Sequence, residues 1–321
     1  MTMYLEKTPM LVKRIDNQTA NISVFELVPQ DGETLPQITA GSHIMCHLDN
    51  GLVRQYSLIN KGGKADSYQI AVLNDPDSRG GSRYIHENIH TGRTLTVSGP
   101  KNDFSLVLGA EKSVLIGGGI GITPMLSMAR TLHAEGEAFE LHYCAKSPET
   151  AAFVNELTRC DFADNVSIYY SKTDTPNRVD LSQLLSEIEP GKHVFCCGPE
   201  AMMDAVKAAT MHWPRGSVHF EKFKAGAIEV QEDRPFDLRL SKSDKVLHVP
   251  AEKTAIEVLA EHHYEVDMVC GEGVCGACLV NVVDGDIEHR DQVLTDDEKS
   301  DNDVMTVCCS RAKSSSLTLD L

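Results

Sequence analysis

The first hundred residues alternate apolar and polar side chains over short stretches separated by turns. Such alternation is typical of strands that bury one face. The breaks at Asp49-Asn50-Gly51 and Lys61-Gly62-Gly63 carry turn residues. Short strands at this spacing predict a small antiparallel β-barrel over residues 1–107, with one helix near Gly81–Glu87. The strand stretches are Ile22–Val28, His43–Leu48, Tyr68–Val72 and Arg93–Val97.

From Lys112 the pattern changes to short apolar stretches that alternate with helical ones. Strands that alternate with helices indicate βαβ units and a parallel sheet. An α/β domain is therefore predicted over residues 108–224. Its helical stretches are Pro124–Ala134 and Thr150–Thr158, and its strands are Ser113–Ile116, Phe139–Cys144, Val166–Tyr170 and His193–Cys197.

Charge and cysteine are unevenly distributed along the 321 residues, which predicts a third domain. The net charge is −17, and residues 236–321 carry 18 of the 47 acidic but only 8 of the 30 basic residues. The same stretch holds five of the ten cysteines. Because a shift in composition marks a domain boundary, residues 236–321 are predicted to form a separate domain, and the small polar stretch 225–235 a linker.

The composition excludes several classes of protein. A pI near 5.1 argues against a nucleic-acid partner, since phosphate binding needs clustered basic side chains. No apolar run approaches the roughly 20 residues of a bilayer span, so no membrane partner is expected. Residues 1–7 lack the basic and apolar regions of a signal peptide. A reducing cytoplasm is therefore expected, in which cysteines are thiols, metal ligands or catalysts.

The acidic domain carries a C-x4-C-x2-C motif, and a further cysteine follows after 29 intervening residues. This is the plant-type [2Fe–2S] spacing, in which four thiolates hold two irons. The intervening glycines let bare backbone approach the inorganic sulfides and direct amides at them. Zinc is the alternative, but structural zinc sites usually take two pairs of ligands, each pair separated by two to four residues. Here the second half supplies one ligand and the adjacent Cys309. The predicted ligands are Cys270, Cys275, Cys278 and Cys308. By spacing alone Cys309 could replace Cys308, but it is expected to pack as a small hydrophobe.

Two loops of the α/β domain predict a dinucleotide site. Leu115–Pro124 joins a strand to a helix and contains four glycines in five positions. Glycines let the backbone approach a pyrophosphate, which the helix N-terminus attracts. The second loop, Cys197-Gly198-Pro199, again follows a strand and starts a helix. In a parallel sheet both loops lie at the C-terminal strand ends, where ligands bind.

The barrel carries two short sequence motifs that suit a planar, phosphate-bearing ligand. Arg54-Gln55-Tyr56-Ser57 offers a cation and two hydroxyl groups. Ser78-Arg79-Gly80-Gly81-Ser82-Arg83 offers bare amides and guanidinium groups at a helix start. Taken alone, either motif is more often a strand end or a solvated turn than part of a cofactor-binding site.

The order of these motifs resembles the phthalate dioxygenase reductase family, which includes reductases for vanillate demethylase and carnitine monooxygenase. The resemblance covers essentially the whole chain, including Pro124–Arg130 and His212-Trp213-Pro214. It implies a multidomain protein that has an antiparallel FMN-binding β-barrel, an α/β parallel-sheet NADH-binding domain and a C-terminal β-grasp ferredoxin domain of α+β class. The implied cofactors are FMN, a plant-type [2Fe–2S] cluster and NADH as substrate.

The resemblance also implies roles for residues around the flavin. Tyr56 and Ser57 would hold its ring and ribityl chain. Arg54 would lie at its phosphate, together with Gly80, Gly81, Ser82 and Arg83. The stretch that would line the isoalloxazine is Ala71, Val72, Leu73 and Asn74.

Around the nicotinamide the resemblance assigns a catalytic group of Thr123, Cys197 and Phe223. Thr123 would contact the flavin from the nicotinamide side, and Phe223 rather than Phe220 would stack near the ring. The pyrophosphate would be accommodated by Gly118, Gly119 and Gly121, and the nicotinamide flanked by Cys197, Gly198 and Pro199.

The implied activity is an NADH-dependent reductase that passes electrons through FMN and the cluster to a Rieske non-haem iron oxygenase. Phthalate dioxygenase is the first expectation for this transient partner, and vanillate demethylase or carnitine monooxygenase the alternative. A flavin and iron–sulfur redox sensor is a further alternative. The preference for NADH over NADPH follows from the resemblance alone. Lys146-Ser147 could bind the 2′-phosphate of NADPH, whereas Glu149 and Asp174 nearby would disfavour it.

Overall fold

A computed structural model describes residues 7–78, 80–223 and 233–321 of the chain. These residues belong to two units, Met1–Glu221 and Lys222–Leu321. Of the predicted linker 225–235, residues 225–232 lie outside the described residues, as does Arg79. The first unit contains both an antiparallel and a parallel sheet.

The antiparallel sheet of the first unit closes on itself. Its strands are β1 Lys7–Asn17, β2 Ile22–Pro29, β3 His43–His47, β4 Val53–Ser57, β5 Tyr68–Leu73 and β6 Thr94–Lys101. Their order is β4-β3-β6-β1-β2-β5, so β4 and β5 are its edges. Leu58, directly after β4, forms a bridge to Ile70 of β5, and Ile59 N donates to the Gln69 carbonyl at 2.9 Å. The sheet is thus a barrel, and helix α1, Gly81–Asn88, follows β5.

The parallel sheet has the order β11-β10-β7-β8-β9, with helices on both faces. Its strands are β7 Lys112–Gly118, β8 Phe139–Ala145, β9 Val166–Tyr170, β10 Lys192–Cys197 and β11 Val218–Glu221, and its helices are α2 Ile122–Glu135, α3 Val154–Leu157, α4 Leu181–Leu184 and α5 Glu200–Ala209. The core on the α2 face also contains barrel residues, among them Val24, Ile59 and Ala71. One apolar core therefore joins barrel and sheet.

The helix predicted over Thr150–Thr158 is shorter than expected. The chain forms a 3₁₀ turn at Pro148–Thr150 and then the four-residue helix α3. Between them Phe153 has φ +63°, its side chain is buried, and its N–H donates to Gln18 Oε1 of the barrel side at 3.1 Å. Burial of this ring interrupts the helix that local propensity favours.

The second unit is a mixed sheet that packs against helix α6, Ala255–Glu261. Its strands are β12 Phe236–Leu240, β13 Lys245–Val249, β14 Leu279–Asp284, β15 Ile287–Glu288, β16 Val304–Thr306, β17 Arg311–Ala312 and β18 Ser316–Leu319, and α7 is Asp296–Asp301. The main sheet has the order β13-β12-β18-β14-β16, in which β12 and β18 are parallel. Thr254 and Glu257 cap α6 reciprocally. The predicted fold class is confirmed: barrel, parallel α/β sheet and C-terminal α+β domain.

Within the described residues, no helix has the length and apolar character needed to cross a bilayer.

Candidate functional site

The predicted phosphate ligands of the barrel come together at the start of α1. A Cβ placed on Gly81 would come within 2.5 Å of Arg54 Cγ, so only glycine lets the Arg54 side chain lie against this turn. Gly80, before the helix, has φ +89°, which glycine adopts without strain. The arrangement places a guanidinium beside the free amides of a helix N-terminus, and this combination suits a phosphate.

The end of β5 is tied to the same helix. Asp75 N donates to Ser82 Oγ at 3.3 Å, and a ring nitrogen of His86 lies 3.0 Å from the Val72 carbonyl. Val72 is completely buried, and its side chain packs in the barrel core. Leu73 is half-buried and Asn74, directly after β5, is held by a 2.7 Å bond from its N–H to the Asn21 carbonyl.

Tyr56 and Ser57 lie at the end of β4 beside an unsatisfied histidine. Burial raises the pKa of the Tyr56 hydroxyl above its usual range, so it remains a neutral donor. Ser57 is buried and pairs in register with His43 of β3. His43 Nδ1 is buried and has no partner among the described residues, and burial lowers the His43 pKa to about 4. The end of β4 therefore suits a ligand whose polar groups can pair with buried hydroxyl and imidazole groups.

The two glycine loops of the parallel sheet pack directly on each other. A Cβ on Gly121 would collide with the Cys197 carbonyl, and one on Gly198 would lie 2.9 Å from Gly118 Cα. A Cβ on Gly118 would in turn lie 2.7 Å from Pro199 Cδ. Gly119 differs, since it has φ +57° and nothing within 4 Å of its added Cβ. Loop packing thus explains three of these glycines, and Gly119 is the one that faces open space.

Helix α2 holds the first glycine loop against the barrel. Ser127 Oγ donates to the Asn60 carbonyl at 2.6 Å, and Gly62 N donates to Thr131 Oγ1 at 3.0 Å. Thr123 is buried in the first turn of this helix and donates to the Ile120 carbonyl at 3.0 Å. The strand that carries Tyr56 and Ser57 leads directly into the 59–62 segment, so the residues predicted to bind flavin and nucleotide belong to one unit.

Cys197 has a half-buried acidic neighbour that the sequence analysis missed. Glu221, the last residue of β11, pairs in register with Cys197 of β10. Its Oε2 atom is buried without a partner among the described residues, and burial, reinforced by the charge of Asp103, raises the Glu221 pKa to about 8. The signal in the sequence is a single carboxylate at the end of the stretch Val218–Glu221. Burial likewise raises the pKa of the Cys197 thiol well above its ordinary value.

The two phenylalanines near this strand differ in their surroundings. Phe220 packs on the α5 face, where Lys207 Nζ lies 5.6 Å from its ring centre. Phe223 follows β11 by two residues and is 41% exposed. The stacking role of Phe223 stays a prediction.

The four predicted cluster cysteines converge in the second unit. Cys270 Sγ lies 3.1 Å from Cys275 Sγ, and Cys308 hydrogen-bonds with both Cys270 and Cys278. Hydrogen bonds, first from Cys275 and then from Cys308, hold the pKa of the Cys270 thiol far below its usual range. The four sulfurs therefore lie together in one group, as the four thiolate ligands of a two-iron cluster must. Among the described residues no His, Cys, Asp or Glu group has the geometry of a single-ion site.

The backbone between these cysteines also fits a cluster. Gly271, Gly273 and Gly276 have φ near +70°, and Glu272 N donates to Cys270 Sγ at 3.3 Å. A Cβ on Gly273 would lie 2.6 Å from Cys309 Sγ and 2.7 Å from Asp291 Cα. Cys309 Sγ therefore lies directly against Gly273 and contacts Thr306 Oγ1 at 3.3 Å. The glycines therefore permit both the turns and the close approach of neighbouring loops.

Comparisons with known proteins agree with this arrangement. Residues 115–208 match the oxidoreductase NAD-binding domain family, and residues 238–313 match the 2Fe-2S iron-sulfur cluster binding domain family. Vanillate O-demethylase oxidoreductase of Pseudomonas sp. (strain HR199 / DSM 7063) is 44% identical over 94% of this chain and 96% of its own. The carnitine monooxygenase reductase subunit of Escherichia coli (strain K12) is 41% identical over 97% of each chain.

A solved structure of phthalate dioxygenase reductase is 40% identical, covers 98% of both chains and superposes with a TM-score of 0.76. The chain belongs to the phthalate dioxygenase reductase family. Like other members of the phthalate dioxygenase reductase family, it is an oxidoreductase of oxygenase systems with NAD-binding and [2Fe–2S] domains. The predicted cofactors, FMN, [2Fe–2S] and NADH, are confirmed, whereas the ligand roles of single residues stay predictions.

Proposed function

We propose that this chain carries electrons from NADH through FMN and the [2Fe–2S] cluster to a Rieske non-haem iron oxygenase, first of all phthalate dioxygenase. The observation that carries the proposal is the junction of barrel and parallel sheet. Helix α2 presents the first glycine loop while its Ser127 and Thr131 bind the barrel segment that follows Tyr56 and Ser57. Hydride transfer needs such close placement of nicotinamide and flavin.

Bound FMN supplies the chemistry that side chains lack, since a flavin accepts two electrons as hydride and releases them singly. The side chains bind and orient. We propose that Arg54 and the Gly80–Arg83 turn bind the phosphate, while Tyr56 and Ser57 hold the ring. Gly118, Gly119 and Gly121 leave room for the pyrophosphate, and Thr123 and Cys197 shape a dry pocket for the nicotinamide, with Phe223 beside the ring. No proton donor is needed for the hydride itself.

The direction of transfer follows from typical potentials. Plant-type clusters lie near about −400 mV, and Rieske centres at roughly −150 to +300 mV. A difference of at least about 250 mV raises the equilibrium constant of one-electron transfer by some four orders of magnitude, at about 59 mV per tenfold change. Cys270, Cys275, Cys278 and Cys308 would hold the cluster from which the oxygenase takes the electron.

Vanillate demethylase and carnitine monooxygenase are the alternative partners, and the two similar reductases favour them. A partner of this kind is recognised by a surface rather than by a motif, and the complex is proposed to be transient and cytoplasmic. Assays of the purified chain with phthalate, vanillate and carnitine oxygenases identify the partner as the one that turns over fastest. A rate below detection with all three would overturn the assignment to these oxygenases.

The relay itself is tested on the purified chain. We expect FMN to be released by heat, two irons and two sulfides per chain, and rapid NADH-dependent reduction of cytochrome c. Cys275→Ala should abolish cytochrome c reduction while ferricyanide reduction by the flavin persists, and Cys160→Ala in the first unit serves as control. Unchanged cytochrome c reduction in Cys275→Ala would contradict the relay. Slow NADH oxidation with no protein acceptor would favour the redox sensor.

A further inference from the structure

Lys222, the first residue of the second unit, contacts a segment that supports the predicted cluster site. Its Nζ atom donates a hydrogen bond of 2.5 Å to Gln292 Oε1, and both residues are half-buried. The two residues lie 70 positions apart in the sequence, so only the folded unit brings them together.

Gln292 and the residue before it lie against residues 270–278, here called the cluster loop. Gln292 N donates to the Gly273 carbonyl at 2.8 Å, and a Cβ on Gly273 would lie 2.7 Å from Asp291 Cα. Gly273 lies in the middle of the cluster loop, between two of the predicted cluster ligands. Gln292 therefore connects the Lys222 ammonium group to the backbone of this loop through two hydrogen bonds, one from its side chain and one from its backbone.

Negative charge surrounds the cluster loop. Glu272 belongs to the loop itself, and Asp291, whose side chain is completely buried, packs against it. Lys299 Nζ donates to the Asp291 carbonyl at 2.7 Å, but the carboxylate of the same residue lies 3.8 Å from this ammonium group and opposes its charge. The partner of Lys222, by contrast, is a neutral amide. The bond to Gln292 therefore holds a cation near the loop without cancelling its charge.

We propose that Lys222 raises the reduction potential of the [2Fe–2S] cluster and so favours its reduction by the flavin. In this step the NADH-reduced flavin loses one electron and one ferric iron of the cluster becomes ferrous, while no covalent bond is made or broken. The added electron makes the thiolate-bound cluster more negative, and a nearby cation stabilises that form. The inference rests on the proposed relay and cluster ligands, and adds a residue that sets the driving force of one step.

The reduction potential of the cluster in Lys222→Met tests the proposal. We expect the equilibrium constant for one-electron reduction to fall by about three- to tenfold, which corresponds to about 30–60 mV at about 59 mV per tenfold change. An anaerobic titration with dithionite and redox dyes, followed by the EPR signal of the reduced cluster, measures this shift. Lys222→Arg should keep the wild-type potential. Lys242→Met, which removes another lysine of the second unit, is the matched control and should also keep it.

A second variant tests whether Gln292 holds the cation in place. Gln292→Leu removes the acceptor, so it should lower the potential in the same direction, and the double variant should be no lower than Lys222→Met alone. High salt should reduce the difference between wild type and Lys222→Met, because counterions screen the charge of a half-buried lysine. Iron content and the unfolding temperature should stay at wild-type values in Lys222→Met.

The outcomes separate this inference from the proposed function. A wild-type cluster that dithionite reduces but NADH does not would refute the proposed relay, and the dye titration would still decide the role of Lys222. An unchanged potential in Lys222→Met, or an equal fall in Lys242→Met, would overturn the inference. A loss of iron or of thermal stability in Lys222→Met without a change in potential would make its role structural, and would overturn the inference as well.

Discussion

Glu221 and Cys197 lie opposite each other in the register of two neighbouring parallel strands, at the edge where ligands of such sheets bind. The carboxyl group has one buried oxygen without a partner among the described residues. A protonated carboxyl is the form that burial favours there. The end of β11 therefore adds a carboxyl group to a sheet edge whose two sequence motifs contain none.

Glu221 makes the stability of the first unit depend on pH. Its pKa is raised from 4.5 to about 8 by burial, so the folded chain keeps a proton that the unfolded chain loses. The free energy of unfolding should fall as pH rises from about 4.5 to 8, by on the order of 3 kcal/mol, and level off above that range. Glu221→Gln should remove this slope in thermal unfolding measured across the range. Glu135→Gln, on an exposed helix end, should keep it, and an identical slope in both variants would contradict the assignment.

Two glycines of the same loop should respond differently to alanine. A Cβ on Gly121 collides with the Cys197 backbone, so Gly121→Ala should cost about 2–4 kcal/mol and weaken NADH binding, because the two loops must separate. Gly119→Ala meets open space and should cost only about 1–2 kcal/mol, for the left-handed conformation. Thermal unfolding distinguishes the two, because both glycines lie at the proposed pyrophosphate site and both variants should raise the KM for NADH. Equal losses in both variants would mean that loop packing is not the constraint.

Arg54 should determine how firmly FMN is held. Its guanidinium lies against the start of α1, where a flat, multidentate donor suits a phosphate better than an ammonium does. Arg54→Lys should raise the Kd for FMN by about tenfold, measured by fluorescence as FMN is titrated into stripped protein. Arg14→Lys on β1, whose partner is Glu26, is the control and should retain wild-type affinity. An unchanged Kd in Arg54→Lys would place the phosphate elsewhere.

Asp291 should hold the cluster loops of the second unit together. Its buried carboxylate accepts from Leu294 N at 2.9 Å. Its Cα and Cβ atoms lie against Gly273, and Gln292 N donates to the Gly273 carbonyl at 2.8 Å. Asp291→Asn replaces one acceptor oxygen with a donor, at a cost of about 1–3 kcal/mol. Iron content and visible absorbance during storage should therefore decline faster than in wild type. Asp284→Asn, at an exposed site, should match wild type, and an equal decline in both would contradict this role.

The fold class and the cofactor motifs follow from local sequence. Cys270, Cys275 and Cys278 are close enough along the chain for their spacing alone to place three thiols together. The glycine content of the loop after Ile116 is enough to predict a turn there. The strand β1 was missed because its register shifts between Val12 and Arg14, which breaks the two-residue alternation. The interruption at Phe153 was missed because a distant partner, Gln18, stabilises it.

The three cofactor motifs can be recognised without a structure, because each is a short segment whose spacing and glycine content are set within a few residues. Contacts between distant residues emerge only when the chain folds. Strand register set Glu221 beside Cys197 and Lys172 beside Lys146. Close packing of two loops restricts Gly118, Gly121 and Gly198 to glycine. Such pairings depend on the free energy of the whole folded chain, in which the burial of a shared core fixes contacts between residues far apart in sequence.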